Sequence, residues 1–320
     1  MGHSIQVPPG DTLNNWAGVA WTYRSQAFND VTEQAGAVGG WQIASNQLGR
    51  GRYAALSETL SIGQITITRD RINLPIGQET ISPGGRVSLF FPLRSEGGWR
   101  VDGRCETDAV IAMRQGLTHL LVAPGSDSEL LHVEMPASLL ALDTDEPVIQ
   151  SRRLRPENEF LRDWLLCLLG QAPAGGRLDT SAAAALEEVL LMRLSSCAGA
   201  FAPSPNQRIS RSAAIDLVSQ LERALLEVDD IPETFGALCE RWSLAQSEVA
   251  EATLAAFGQA PDRWYRMARL NGVHRDLRAR SRGLTVTRAA TRWGFFHLGR
   301  FSGDYASFFG RHPRETLKAN

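Results

Sequence analysis

The sequence predicts an α+β chain in three parts: a β-rich, barrel-like unit over residues 1–145, a helical segment with a linker over 146–206, and an all-α unit over 207–320. Three observations predict it. From about Arg50 to Met135 short apolar runs alternate with Gly-Gly, Pro-Gly and Gly-Ser breaks, the pattern of several short strands. Beyond Pro147 helical spacing with few breakers takes over. Beyond about Gln207 a weak repeat appears, in which a short helix and a longer one occur twice.

The 320 residues suit two or three domains, and a content of 43% hydrophobic and 21% charged residues fits a globular protein that buries a sizeable core. No uncharged apolar run reaches membrane-span length, and MGHSIQVPPGDTLNN has no signal-peptide core, so a cytoplasmic protein without a membrane partner is expected. Cys105, Cys167, Cys197 and Cys239 form no CxxC pair and read as reduced, structural residues. The net charge of -2 conceals a gradient: residues 1–206 hold 16 basic against 22 acidic side chains, and residues 261–320 hold 13 against 4. A basic end on an acidic body points to a polyanionic partner, with a solvated charged face as the alternative.

In the β-rich part, RYAALSETLSIGQITIT, RVSLFFPL, WRVDGRCE, AVIAMRQG and HLLVAPG predict a sandwich or small barrel. His3, His119 and His132 form no HxH pair, so no metal is expected, and neither a nucleophile elbow nor a phosphate loop is present. The unit therefore reads as a cofactor-free pocket rather than an enzyme. Phe90, Arg94, Trp99 and Arg104 are its candidate ligand groups.

NEFLRDWLLCLLG and TSAAAALEEVLLMRLSSCAGAF predict two helices, the second capped by Asp179 or Thr180. Its stripe of Leu186, Val189, Leu190 and Leu194 serves either the core or a partner helix, which would make a homodimer. FAPSPNQRIS reads as a linker.

In the repeat, Phe235, Leu238, Cys239 and Trp242 match Val286, Ala289, Ala290 and Trp293, and GQAP at Gly258 matches GRHP at Gly310. Each copy is a short amphipathic helix, a tight turn, a second helix and a Gly-x-x-Pro stop, that is, a helix-turn-helix. In the second copy a helix from about His297 to Phe309 turns Leu298, Phe301, Tyr305 and Phe308 inward. Gly299 and Gly303 then lie on the outer face beside Arg300 and Ser302. Interior helix glycine costs about 1 kcal/mol relative to alanine, and close approach to another surface such as a DNA groove would explain two of them. Between the copies, DRWYRMARLNGVHRDLRARSR predicts a long connecting helix whose arginines, Arg266 and Arg269 among them, suit phosphates; an exposed basic helix with no partner is the alternative.

The segment from about Thr234 to Leu317 resembles the DNA-binding domain of AraC/XylS transcriptional regulators. The resemblance is carried by RAATRWGFFHLGRFSGDYASFFGRHPRETL, through Ala289 or Ala290, Trp293, Gly294, Phe295, Phe301, Tyr305, Phe309, Gly310 and Pro313, and by the Arg269-Leu270 pair upstream. The WGFxHLGRF wording is similar to branches that regulate ethanolamine and aromatic-acid catabolism, and GWQIASNQLGRGRY more weakly resembles their sensor domains. The resemblance implies a cupin-like sensor, a dimerising helical segment, and a two-part domain that binds double-stranded promoter DNA. It also implies a small-molecule effector, contact with RNA polymerase, and activation as the commoner mode. His297, Leu298, Gly299, Arg300, Ser302 and Gly303 would lie nearest the bases. In the first copy Ser247, Ala250, Glu251 and Leu254 would do so with Glu248 beside them, where relatives carry arginine or amides, and Thr253 stands where a core aromatic belongs. The charge contrast predicts that the second copy and the arginine-rich helix supply most of the DNA affinity. The alternative is a protein-interaction co-regulator with only weak DNA binding.

Overall fold

The computed structural model describes residues 21–106, 109–114, 119–140, 148–172, 179–199, 212–279, 281 and 283–319. The predicted boundary near Gln207, and His3, Arg280 and Arg282, lie outside them. Among the described residues ten antiparallel strands form one sheet: β1 Trp21–Phe28, β2 Gln42–Gln47, β3 Ala55–Ile62, β4 Ile65–Ile72, β5 Ile76–Ile81, β6 Arg86–Val101, β7 Arg104–Glu106, β8 Ala109–Arg114, β9 His119–Pro136 and β10 Val148–Arg153. Their order is β1-β3-β4-β9-β6-β8-β10, with β5 joining β2 to β9 and β7 pairing with β6. Among the described residues this path does not close, so the expected barrel is an open sheet that curls around a cavity. The β unit also begins before Arg50 and reaches Arg153, past the expected limit at 145.

Two long strands replace the short ones expected in the middle. The sequence separates RVSLFFPL from WRVDGRCE at Ser95–Gly98, yet β6 runs through that stretch by shifting register between Pro92 and Trp99. Gly97 and Gly98 take φ of 94° and 79°, so these glycines make bulges rather than a turn. Opposite them in β9, a Cβ on Gly125 would sit 1.8 Å from the Glu96 carbonyl oxygen, a contact only glycine avoids.

Helix α1, Val31–Ala37, connects β1 to β2 and is capped by Asp30, which accepts from the Thr32 amide at 3.0 Å. Helices α2 Pro156–Gln171 and α3 Thr180–Gly199 cover one sheet face, where Leu161, Leu165, Leu169, Leu190 and Leu194 pack with Leu60, Ile62, Ile65 and Ile67. Leu190 and Leu194 of the predicted stripe thus serve this chain's own core, and Val189 stays 42% exposed. All four cysteines are free; Cys197 and Cys239 are buried, but Cys105 and Cys167 are exposed and do not have the structural role expected of them.

The helical unit comprises α4 Ala213–Glu227, α5 Phe235–Arg241, α6 Gln246–Phe257, α7 Pro261–Ala279, α8 Val286–Arg292, α9 Leu298–Phe309 and α10 Pro313–Lys318. The repeat extends to its caps. Thr234 accepts from the Ala237 amide at 3.2 Å and Thr285 from Arg288 at 3.1 Å, and both α6 and α9 end on a left-handed glycine, Gly258 or Gly310, followed by the proline that starts the next helix. The core of this unit also takes in Leu48, Leu121 and Ala123 from the sheet. Among the described residues no helix is long and apolar enough to cross a membrane.

A polar seam joins sheet to helices. Asn271 of α7 pairs with the edge of β2, its Oδ1 accepting from the Gln47 amide at 2.9 Å and its Nδ2 donating to the Gln47 carbonyl at 2.8 Å. The Nε2 of Gln47 donates to the Phe308 carbonyl at 2.8 Å. His274 Nε2 lies 2.8 Å from Asp30 Oδ2, and its Nδ1 lies 2.6 Å from the Tyr305 hydroxyl. Arg311 and Arg278 also reach Asp30, at 2.9 and 3.7 Å. Burial would raise the Asp30 carboxyl, but the hydrogen bonds of His274 and Thr32 outweigh it and hold it well below the usual range.

The seam holds two groups whose titrations oppose each other. Burial lowers His274 despite Asp30, and burial pushes Glu222, which accepts from Asn46 at 3.1 Å, up to about 7 against the pull of Arg275. A carboxyl raised in the folded state stabilises at low pH, and its contribution fades as pH rises through about 7. A lowered histidine contributes above an unfolded value of about 6.5 and loses that contribution as pH falls. Relative to the parent protein, Glu222→Gln is expected to steepen the loss of stability from pH 6.5 to 5, and His274→Gln to lessen it. Each change is at most about 1.4 kcal/mol per pH unit. Chemical denaturation across that range tests this; equal slopes in all three proteins would refute it.

Candidate nucleic-acid interface and ligand cavity

Helix α9 is amphipathic because its aromatic residues recur at helical spacing. Phe301, Tyr305, Phe308 and Phe309 are buried, with the Phe301 and Tyr305 ring centroids 5.7 Å apart. Leu298, expected inward, is 38% exposed in the first turn, where the helix leaves the core, and the preceding Phe296 is 54% exposed. The opposite face shows His297, Gly299, Arg300 and Gly303 to solvent, with Ser302 half-buried. A Cβ on Gly299 or Gly303 would meet nothing within 4 Å, so the chain's own packing does not require glycine there. The Arg300 side chain is 77% exposed, its Nε 3.9 Å from Asp304, and Arg266 forms an ion pair with the same carboxylate. Asp304 thus holds two cations beside this face.

The corresponding face of α6 is acidic. Ser247, Glu248, Glu251 and Leu254 are exposed and Ala250 is half-buried. Thr253 is fully buried in place of the expected aromatic, its hydroxyl donating to the Ala250 carbonyl at 3.1 Å.

The arginine-rich helix departs from expectation. Arg269 is 7% exposed, donates to the carbonyls of Trp293 and Gly294 at 3.4 and 3.2 Å, and lies over the rings of Tyr265 and Phe295 at 5.1 and 4.5 Å. Its guanidinium fastens the turn after α8 to α7 and spends its hydrogen bonds inside the unit. Arg275 donates to Asn46 at 2.5 Å, and Arg278 pairs with Glu33 and Asp30. The physical reason is that α7 runs through the middle of the helical unit and along β2, so its arginines find internal carbonyls and carboxylates. Arg263 is exposed and Arg266 half-buried.

The sheet curls around a cavity of about 100 Å³ lined by α1 and by β2, β4, β5, β6, β8 and β9. Of the predicted ligand groups, Phe90 and Trp99 line it. Arg94 is exposed and donates to the Asp127 carbonyl at 3.2 Å, and Arg104 is exposed on β7; neither lines the cavity. The alternation of β6 at Phe90 and its bulges explain this, because the shifted register turns Trp99 inward and Arg94 outward. The cavity also brings together Trp41, Asp70 and His132, none of them predicted as ligand groups. The imidazole of His132 stacks on Phe90 with centroids 4.5 Å apart and takes the edge of Trp41 at 5.6 Å. Burial lowers its pKa to about 4, so the ring is neutral. The alternation of ITITRDRI in β4, with Thr66, Thr68, Asp70 and Ile72 on one face, is the signal that could have placed Asp70 inside.

A family model described as "Helix-turn-helix domain" matches residues 238–319, which run from within α5 through α10. The "Probable thc operon regulatory protein" of Rhodococcus erythropolis is 25% identical over 262 residues, covering 77% of this chain and 75% of that protein. Among solved structures, the AraC-like transcriptional activator CuxR aligns with 84% of this chain and 99% of its own at 13% identity and a TM-score of 0.41. Unsaturated fatty acid bound ToxT from Vibrio cholerae strain SCE256 aligns with 88% of this chain and 95% of its own at 11% identity and a TM-score of 0.31.

Proposed function

We propose that the chain is a transcriptional regulator of the AraC/XylS type, an effector-responsive activator that reads promoter DNA chiefly through α9. One observation carries this reading. The outward face of α9 is open, carries a highly exposed Arg300, and is stepped down by two glycines that its own core does not need. A groove that approaches closely accounts for both features. In this reading His297, Leu298, Gly299, Arg300, Ser302 and Gly303 face the bases, Arg266 sits near the backbone, and Ser247 and Glu251 of α6 contribute little.

The effector would act through α1. This helix gives Gln34 and Ala35 to the cavity, with Val38 just beyond its end, and its capping residue Asp30 holds His274, Arg278 and Arg311. Occupancy of the cavity biases α1 and with it the pose of the helical unit, a shift between preexisting arrangements. A homodimer would form over α2 and α3, where Phe160, Val189 and Met192 are exposed, and activation implies contact with RNA polymerase.

The test is a footprint on DNA upstream of the protein's own and neighbouring genes at two salt concentrations. Protection of about 20 base pairs means both helix pairs engage, and about half that means α9 reads alone. Arg300→Ala is expected to lose about 1–3 kcal/mol of discrimination at one base position; an equal loss on every sequence would make Arg300 a phosphate anchor instead. The acidic face of α6, with Leu254 60% exposed, favours a second reading as a protein-interaction co-regulator. Absence of protection on any sequence would select it.

A further inference from the structure

The cavity combines an apolar, aromatic half with a carboxylate that has no cation. Asp70 projects from β4 between two regions of the cavity, one lined by Trp41, Phe90, Trp99 and aliphatic side chains, the other by Thr59, Thr66 and Thr68. It accepts from the Ser57 hydroxyl and, at 3.5 Å, from the Gln34 amide. Among the described residues no arginine, lysine or histidine pairs with it. The neighbouring Arg69 and Arg71 point to the other face of the strand, where they bind Glu129 and Glu58. Burial raises the Asp70 carboxyl, as it does any acid shielded from water without a countercharge.

The other charges that line the cavity do not alter this balance. Glu134 accepts from Trp41 Nε1 at 2.6 Å and is neutralised by Arg86. Arg24 is exposed at the polar mouth and donates to Gln26. No cation lines the aromatic half. In the aromatic half an anionic ligand would lie against Asp70 with no arginine or lysine beside it to bind its charge, at a cost that burial magnifies. A cation gains twice there, from the carboxylate and from the rings of Trp41 and Phe90, which are half-buried and line the cavity, one face of Phe90 being covered by His132.

We propose that the cavity takes an organic amine in its protonated form, its ammonium between Asp70 and the Trp41 and Phe90 rings and its apolar body among Ile43, Ile111 and Val122. This rests on the reading of the cavity as an effector site and specifies the chemistry of the effector. It separates the cavity from sites that hold carboxylates, which need an inward arginine or lysine.

Isothermal titration of the full chain with benzylamine, benzyl alcohol and benzoate tests it, because the three differ little in shape and mainly in charge. Benzylamine is expected to bind at least about tenfold tighter than benzyl alcohol, with no measurable binding of benzoate. Asp70→Asn, which keeps the residue's shape, is expected to bring benzylamine down to the level of the alcohol. Phe90→Leu, which leaves the carboxylate in place, is expected to weaken the amine more than the alcohol. Equal or tighter binding of the alcohol or of benzoate, an unchanged amine affinity in Asp70→Asn, or no binding of any of the three overturns the proposal. Operator binding measured in the same samples judges the other reading separately: benzylamine that binds the cavity yet leaves DNA binding unchanged sinks the effector coupling and leaves the ligand class standing.

Discussion

Asp30→Ala is expected to destabilise the protein by about 3–5 kcal/mol, the cost of breaking a buried ion pair by removing one partner. The Asp30 side chain is 1% exposed and stands against His274, Arg311 and Arg278. Its loss leaves two guanidinium groups and an imidazole facing an apolar gap. It also strips α1 of the oxygen that accepts from Thr32, a cap worth about 1 kcal/mol. Because these contacts bridge sheet and helices, the damage concentrates at the seam, and denaturation is expected to split into two transitions, the helical unit separating from the sheet first. Asp30→Asn keeps the cap but not the charge and should fall between. A loss below about 1 kcal/mol with a single transition would show that the seam is held by its apolar contacts alone.

Gly272→Ala is the second large effect, expected at about 1–3 kcal/mol for an overpacked core. A Cβ at this position would lie 2.2 to 2.3 Å from three atoms of the Trp293 indole. The ring has nowhere to go. It is 1% exposed, and its Nε1 donates to Asp276 at 2.8 Å, a carboxylate also gripped by Arg292 at 3.0 Å. Moving the indole therefore breaks a hydrogen bond as well as displacing core atoms. Trp293→Leu in the Gly272→Ala background should recover part of the loss, since the two positions share one volume. Two independent, additive losses would contradict the packing argument. The same contact sets how α8 crosses α7, so Gly272→Ala is also expected to weaken DNA binding more than its stability loss explains.

The helical unit is legible in the sequence because its signals are local. The i, i+3, i+4, i+7 spacing, the paired threonine caps and the Gly-x-x-Pro stops all fall within one repeat, and each is set by nearby backbone chemistry. The side of α7 on which an arginine lies is not local. Arg263, Arg266, Arg269, Arg275 and Arg278 look alike in sequence, and only the placement of β2 and α8 around the helix makes three of them internal. The sheet is harder to read for a related reason. Gly97, Gly98 and Gly125 are turn residues by composition, but here they permit two long strands to cross closely. The cavity is half legible, because Phe90 and Trp99 stand out as aromatics on strands. Asp70 and His132 do not, because a single buried polar residue on a strand has no pattern of its own.

The pairing of Asn271 with the edge of β2 bears on how such a protein is inherited and engineered. A fragment beginning near α4 would carry away Asn271 and His274 without the Gln47 backbone and Asp30 carboxylate that occupy them, and would uncover Phe257 and Phe308 besides. The helical half is therefore not an interchangeable cassette. Grafted beneath a foreign sensor it would need a host that offers one unpaired strand edge and one acid at the head of a short helix, and a chimera lacking either would begin life with a polar wound at its joint.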